Sequence, residues 1–166
     1  MALELKIKNN SDLIKKRYKR LQHKFPRIID KGILQAGFQL LDIIRTKTQK
    51  GIDFNDVPFA PYSAGYLKKL QKEGKKTAVD LFYTGRMLGA LTPSNRTIKK
   101  TGTNKATVMF SNSQMRQRAL FNQVLGKTKR EFFGFNDKTE SIINKQFKRF
   151  IEKELRKFNI WALEKI

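Results

Sequence analysis

The segment RTIKKTGTNKATVMF, Arg96–Phe110, decides the fold class of this chain. Its second half, Lys105–Phe110, carries apolar residues at alternate positions, which is the period of a half-buried β-strand. Arg96–Lys100 predicts a preceding strand, and Thr101–Asn104 between them is rich in turn formers. Since so short a turn can join only antiparallel neighbours, the segment predicts a β-hairpin.

Helical periodicity dominates the chain on both sides of this hairpin, because apolar residues recur there at spacings of three and four. We therefore expect an α+β fold in which a small antiparallel sheet, including the β-hairpin, packs against three to four helices. Pro26 should break or restart the first helix, and Gly51 should follow the end of the second. The predicted helices are residues 12–25, about 33–47, 81–91, 113–125, and a long C-terminal helix that opens at Asp137 or Thr139 and runs to Phe158.

The length of 166 residues suits a single domain, 1–166, with one hydrophobic core. Residues 1–10 are expected to form an N-terminal arm, and residues 68–77 a mobile basic loop or a fraying helix end. The segment Gly51–Tyr66 reads as an ordered loop that presents several aromatic side chains. Because the chain has no cysteine and no apolar run of membrane-spanning length, we expect a protein made in a reducing compartment with no membrane contact.

The charge balance points to an anionic partner. The formal net charge is +22, from 36 Lys and Arg against 14 Asp and Glu, and this exceeds what solubility requires. The cations recur in every segment and no base-reading motif accompanies them, so any contact with DNA should be independent of sequence. The interaction residues expected to meet this anionic partner or DNA are Lys15, Lys16, Lys19, Arg20 and Lys24 in the first helix, and Lys68, Lys69, Lys72, Lys75 and Lys76 in the basic loop.

Groupings of residues that could carry catalysis are few. His23 is the single histidine, and it lies among cations that disfavour a metal ion. Asp53 and Asp56 could bind a divalent cation, but the surrounding Asn and Pro favour turn formation. Gly85–Gly89 lacks the Lys-Ser/Thr step of a phosphate-binding loop. We therefore expect no enzyme activity, no catalytic or metal residue and no cofactor.

Three segments together resemble the virion morphogenesis or tail-completion family of tailed phages, which takes in neck and minor tail proteins. Gly51–Ser63 is similar to the family's pattern of an aromatic residue, a proline and a Tyr-Ser step. Leu81–Leu91 is similar to its Leu-x-x-Thr-Gly-x-Leu segment. Within Ala119–Gly134, the Asn122-Gln123 step and Gly126 stand where the family has His-Gln-x-Gly, and an Arg-x-Phe-x-Gly pattern follows. The motif residues, which we expect to serve core packing, are Phe59, Tyr62, Thr84, Gly85, Gly126, Arg130, Phe132 and Gly134.

The resemblance implies a structural protein of the virion neck or tail, active in tail completion or head-tail joining. Such a protein is expected to form a homo-oligomeric ring, to bind neighbouring neck, adaptor or tail-tube proteins, and to assemble in the host cytoplasm, with DNA as a further contact. The alternative is a sequence-independent nucleic-acid-binding protein, which the positive charge alone would favour.

Overall fold

The computed structural model describes residues 11–158, and its architecture is α+β with one two-stranded antiparallel sheet. The predicted fold class, the hairpin and the long C-terminal helix are confirmed. The predicted arm, residues 1–10, lies outside the described residues. In chain order the elements are α1 (Ser11–Gln49), α2 (Ala64–Lys72), α3 (Arg86–Gly89), β1 (Ile98–Gly102), β2 (Lys105–Val108), α4 (Ser113–Leu120), a π-helical turn (Phe121–Leu125) and α5 (Asp137–Arg156).

The two long helices α1 and α5 form an antiparallel pair. At one end the Lys47 Nζ donates to Thr139 Oγ1 over 3.3 Å. Further along, the rings of Phe147 and Phe150 pack over Gly32. Asn136 caps α5, because its side chain accepts a hydrogen bond from the Thr139 backbone N–H. The amphipathic stripe predicted for the last helix is therefore used against α1.

The prediction that Pro26 interrupts the first helix is wrong, since α1 runs unbroken for 39 residues. Pro26 removes the N–H that would bond the carbonyl of Gln22. Both residues are exposed, so water can satisfy that carbonyl. Ile28 is buried two residues later, and packing of this kind outweighs a local propensity. Gly51 lies just past the helix end with φ +76°, as predicted.

The hairpin packs its apolar face on α1. Ile98 pairs with Val108, and Gly102 pairs with Lys105, which leaves Thr103 and Asn104 as a two-residue turn. Asn104 adopts φ +58°, a left-handed conformation that asparagine tolerates better than most residues. Ile98 is 3% exposed and contacts α1 beside Gly37.

The helix predicted over 81–91 is too long, since within that range the structure is helical only over Arg86–Gly89. Leu81 and Gly85 both have positive φ, which a right-handed helix excludes. The Asp80 carboxylate accepts a hydrogen bond from the Phe82 N–H and holds a turn instead.

Of the two expectations for residues 68–77, the mobile loop is wrong for the first half, which forms the end of a helix. Ser63 caps α2 by accepting from the Tyr66 N–H, and Leu70 is 3% exposed. The helix continues to Lys72, and a turn with Gly74 at φ +62° follows. The burial of Leu70 anchors this segment to the core. The many lysines around Leu70 had suggested an exposed segment instead.

Candidate interaction site

The three segments that carry the family resemblance are far apart in sequence but meet in the structure, and Arg130 joins two of them. Its Nε donates to the Ala60 carbonyl and its Nη2 to the Pro61 carbonyl, each over 3.1 Å. Its guanidinium carbon lies 5.0 Å from the centre of the Tyr62 ring. A planar fork of donors suits this double contact, which a lysine could not reproduce.

Core packing explains Phe59 and Phe132, which are 8% and 2% exposed. Phe132 meets Phe110 edge-on at a centroid distance of 6.3 Å, a favourable aromatic geometry. Gly134 lies against the ring of Phe54, where a Cβ would come within 2.9 Å of ring carbons. For these motif residues the expected packing role agrees with the structure.

Two motif glycines are required by the backbone. Gly85 has φ +68°. Gly126 donates its N–H to the Phe121 carbonyl over 2.7 Å, the bond that closes the π-helical turn. A Cβ on Gly126 would lie 2.7 Å from that oxygen. Thr84, in contrast, is exposed, so the packing role expected for it is wrong.

Sequence reasoning missed the part that Gln123 plays. Its side-chain amide donates to the Phe133 carbonyl over 3.1 Å and accepts from the Phe133 N–H over 3.0 Å. This reciprocal pair fixes the π-helical turn against the chain that follows Arg130. The Asn-Gln step was visible in the sequence, but its partner ten residues away was not.

Around this junction lies a cleft of about 600 Å³, called here the tyrosine cleft. Tyr62 and Tyr66 pack edge-to-face at 4.9 Å, and burial raises the pKa of Tyr62. Arg118 and Arg130 supply positive charge, and no carboxylate from the described part of the chain lines the cleft. The lining residues are Tyr62, Ser63, Tyr66, Leu81, Tyr83, Thr84, Gly85, Met87, Arg118, Phe121, Asn122, Thr128 and Arg130.

A row of exposed apolar side chains borders the tyrosine cleft, called here the apolar ridge. The helix predicted over 113–125 was expected to carry Leu120 and Val124 among its apolar residues, but they are 47% and 51% exposed. Val124 lies in the π-helical turn, where the α-helical spacing no longer applies. The ridge comprises Leu120, Phe121, Val124 and Leu125, of which Phe121 is 62% exposed.

Of the cations predicted between residues 68 and 76 to contact an anionic partner, two lie close to a carboxylate of the protein itself. Glu73 binds Lys75 over 3.0 Å and accepts from the Tyr83 hydroxyl over 2.8 Å. The Tyr83 hydrogen bond, followed by that from Lys75, lowers the pKa of Glu73. Lys69 lies 3.9 Å from the same carboxylate. The remaining members, Lys68, Lys72 and Lys76, are exposed.

The close carboxylates Asp53 and Asp56 serve the loop that follows α1. Asp53 Oδ1 accepts from the N–H groups of Asn55 and Val57, each over 2.8 Å, so the turn interpretation is correct. Asp56 binds Lys47 over 2.7 Å. The hydrogen bond from Lys47, then that from Asn136, lowers the pKa of Asp56.

The basic first helix divides into two faces. Arg20 and Lys24 line a second cleft, of about 570 Å³, between α1 and the end of α5. Lys15, Lys16 and Lys19 are exposed but do not line it. His23 is exposed on the same helix. The structure therefore separates the five cations that the sequence grouped together.

Within residues 11–158, no three side chains of metal-binding type converge, and no helix is long and apolar enough to span a bilayer. No family model, curated protein or solved structure matches this chain.

Proposed function

We propose that this protein is a non-enzymatic structural subunit of the neck or tail of a tailed phage, acting in tail completion or head-tail joining. It assembles as a homo-oligomeric ring in the host cytoplasm and binds neighbouring neck, adaptor or tail-tube proteins in the virion.

The observation that carries this proposal is the convergence of the three family-like segments on one junction. Arg130 ties the 119–134 segment to the loop before α2, and Gly85 and Met87 of the 81–91 segment line the same cleft. The residues of the three family-like segments therefore form one structural unit around the tyrosine cleft. Most of them serve packing and backbone geometry, which fits a protein whose work is assembly.

The apolar ridge supports an assembled state. Apolar side chains that lie next to one another and are half exposed are uncommon on monomers and mark interaction surfaces. Four such side chains fall within six residues, beside the tyrosine cleft. Covering this ridge with a neighbouring subunit would remove it from water, and a repeated contact of this kind closes into a ring when its rotation permits.

The ridge can be tested with two double variants, each of which replaces one exposed phenylalanine and one exposed aliphatic side chain by serine. Phe121→Ser/Leu125→Ser alters the ridge, where the exposures are 62% and 58%. Phe135→Ser/Ile142→Ser, at 53% and 41% exposure, alters a different surface. Light scattering after gel filtration should show that the ridge variant becomes monomeric while the control remains oligomeric. Circular dichroism establishes that both variants are folded.

Three outcomes would contradict the proposal. One is a wild-type protein that is monomeric at every concentration and forms no ring in electron micrographs. Another is a ridge variant as oligomeric as the control, which would place the interface elsewhere. The third is a gene neighbourhood without portal, capsid or tail genes. The alternative of nucleic-acid binding does not compete for the same surface, because no residue lines both clefts.

A further inference from the structure

We infer that the cleft between the first half of α1 and the end of α5 binds the phosphate backbone of nucleic acid. This inference is independent of the assembly role, and it rests on the arrangement of one row of cations. The row, called here the basic row, comprises Arg17, Arg20, Lys24, Arg27 and Lys31, and all five residues line the cleft.

The spacing of the basic row places its members on one face of α1. Successive members are three or four residues apart, so they follow one another along the helix surface. Fourteen residues separate the first from the last, which at 1.5 Å per residue gives a row of about 21 Å. One strand of a duplex advances about 3.4 Å per phosphate, so the row matches roughly six phosphates.

The surroundings of the row strengthen its field. Ile28, 7% exposed, and Phe158 contribute apolar wall to the cleft, and a concave site with such walls concentrates the potential of its charges. Lys157 from the end of α5 adds a sixth cation. Among residues 11–158, Glu154 is the single carboxylate that lines this cleft, and it is paired with Lys157. The lining that the structure describes is therefore strongly positive.

The chemistry favours a polymer of phosphates over a single anion or an acidic protein. A regular line of charges is complementary to a ligand that repeats its own charge at short intervals. Three of the five members are arginines, whose planar fork of donors suits phosphate oxygens. Contacts to phosphate oxygens carry no information about the bases, so recognition by this row should be independent of sequence.

Two double variants of the full chain test the site. Arg20→Gln/Lys24→Gln removes two cations from the cleft, and Lys15→Gln/Lys19→Gln removes two from another face of the same helix. All four side chains are exposed, so folding should be preserved. The assay is fluorescence anisotropy with a labelled duplex of mixed sequence across a series of salt concentrations.

The expected result follows from counterion release, which contributes a slope of about −0.9 in log K against log salt for each neutralised phosphate. If each of the five members of the basic row neutralises one phosphate, the wild-type slope is about −4.5. The cleft variant should reduce its magnitude by about 2, with a loss of affinity of roughly tenfold or more near 0.1 M salt, whereas the control should change it by less than about 0.5.

Several results would overturn the inference. Equal effects of the two double variants would mean that charge acts diffusely over the surface. An absence of duplex binding at low salt would remove the site altogether. If polyglutamate displaced the duplex as effectively as an unlabelled duplex of equal charge, the cleft would be a site for acidic protein instead.

Discussion

Replacing Arg130 with lysine tests the junction that joins the family-like segments. The substitution keeps the positive charge but loses the fork that reaches two successive carbonyls, Ala60 and Pro61. It also removes a guanidinium from the face of Tyr62. A neutral substitution would be harder to interpret, because removing a cation from a chain of net charge +22 also relieves repulsion.

The magnitude can be worked from these contacts. Each hydrogen bond is partly exposed, which holds its contribution near 1 kcal/mol rather than the larger value of a buried charged donor. The stacking on Tyr62 adds about 0.5–1 kcal/mol. A lysine can retain one of the two hydrogen bonds, so Arg130→Lys should lower the free energy of unfolding by about 1.5–2 kcal/mol. For a chain of this length that corresponds to a fall in Tm of roughly 3–8 °C.

Urea denaturation followed by circular dichroism measures the effect. Arg118→Lys is the matched control, because Arg118 is exposed in the same cleft and no hydrogen bond or ion pair of its guanidinium is found among the described residues. Its free energy of unfolding should stay within about 0.5 kcal/mol of the wild type. If Arg130→Lys were equally neutral, the view of Arg130 as the tie between the segments would be refuted.

Three further substitutions probe the fold. Pro26→Ala should raise the free energy of unfolding by about 1–2 kcal/mol in urea, because it restores a helical hydrogen bond; a loss would mean that the proline shapes the α1–α5 contact. Phe132→Ala should cost about 3–5 kcal/mol while Phe135→Ala, at 53% exposure, costs little, and comparable costs would contradict the assigned core. The pKa of Asp56 is lower in the folded protein than in the unfolded chain, so its ionised carboxylate stabilises the fold at pH values above the unfolded pKa. This stabilisation is lost as the pH falls through the folded pKa. The drop in Tm between about pH 6 and about pH 3 should therefore be smaller for Asp56→Asn than for the wild type, and equal drops would count against the Lys47 pair.

The parts of the fold that sequence reasoning could reach are those set by local pattern. The hairpin has alternating apolar residues and an Asn at the turn, and its register places that Asn at φ +58°. The last helix has a polar cap and a clear apolar stripe, and it begins at Asp137, one of the two starts predicted. In both cases the local preference and the tertiary contacts agree, so a pattern alone was sufficient.

Errors arose where a tertiary contact overrides a local preference. Pro26 breaks helices in isolation, but α5 packs along α1 and keeps the helix continuous. At Phe121–Leu125 a π-helical turn interrupts the apolar pattern of the predicted helix, and Val124 within it is exposed. The reciprocal bonds of Gln123 to Phe133 join residues whose proximity no spacing rule could reveal.

The candidate surfaces were predictable in kind but not in place. The sequence grouped Lys15 and Lys19 with Arg20 and Lys24, because all four are basic and close together. Only the last two line the cleft, a division that depends on where α5 lies against α1. Composition thus predicts the charge of a partner, while the packing of helices decides which cations could meet it.

The two proposed surfaces should respond to salt in opposite directions, and this provides a test that needs no variant. Subunits of formal charge +22 repel one another, and salt screens that repulsion over a Debye length of about 10 Å at 0.1 M. Assembly through the apolar ridge should therefore strengthen as salt rises, because the burial of apolar surface is not weakened by screening. Binding of a phosphate backbone should weaken steeply over the same range. An oligomer that dissociates as salt rises would show that charge, rather than the ridge, holds the subunits together.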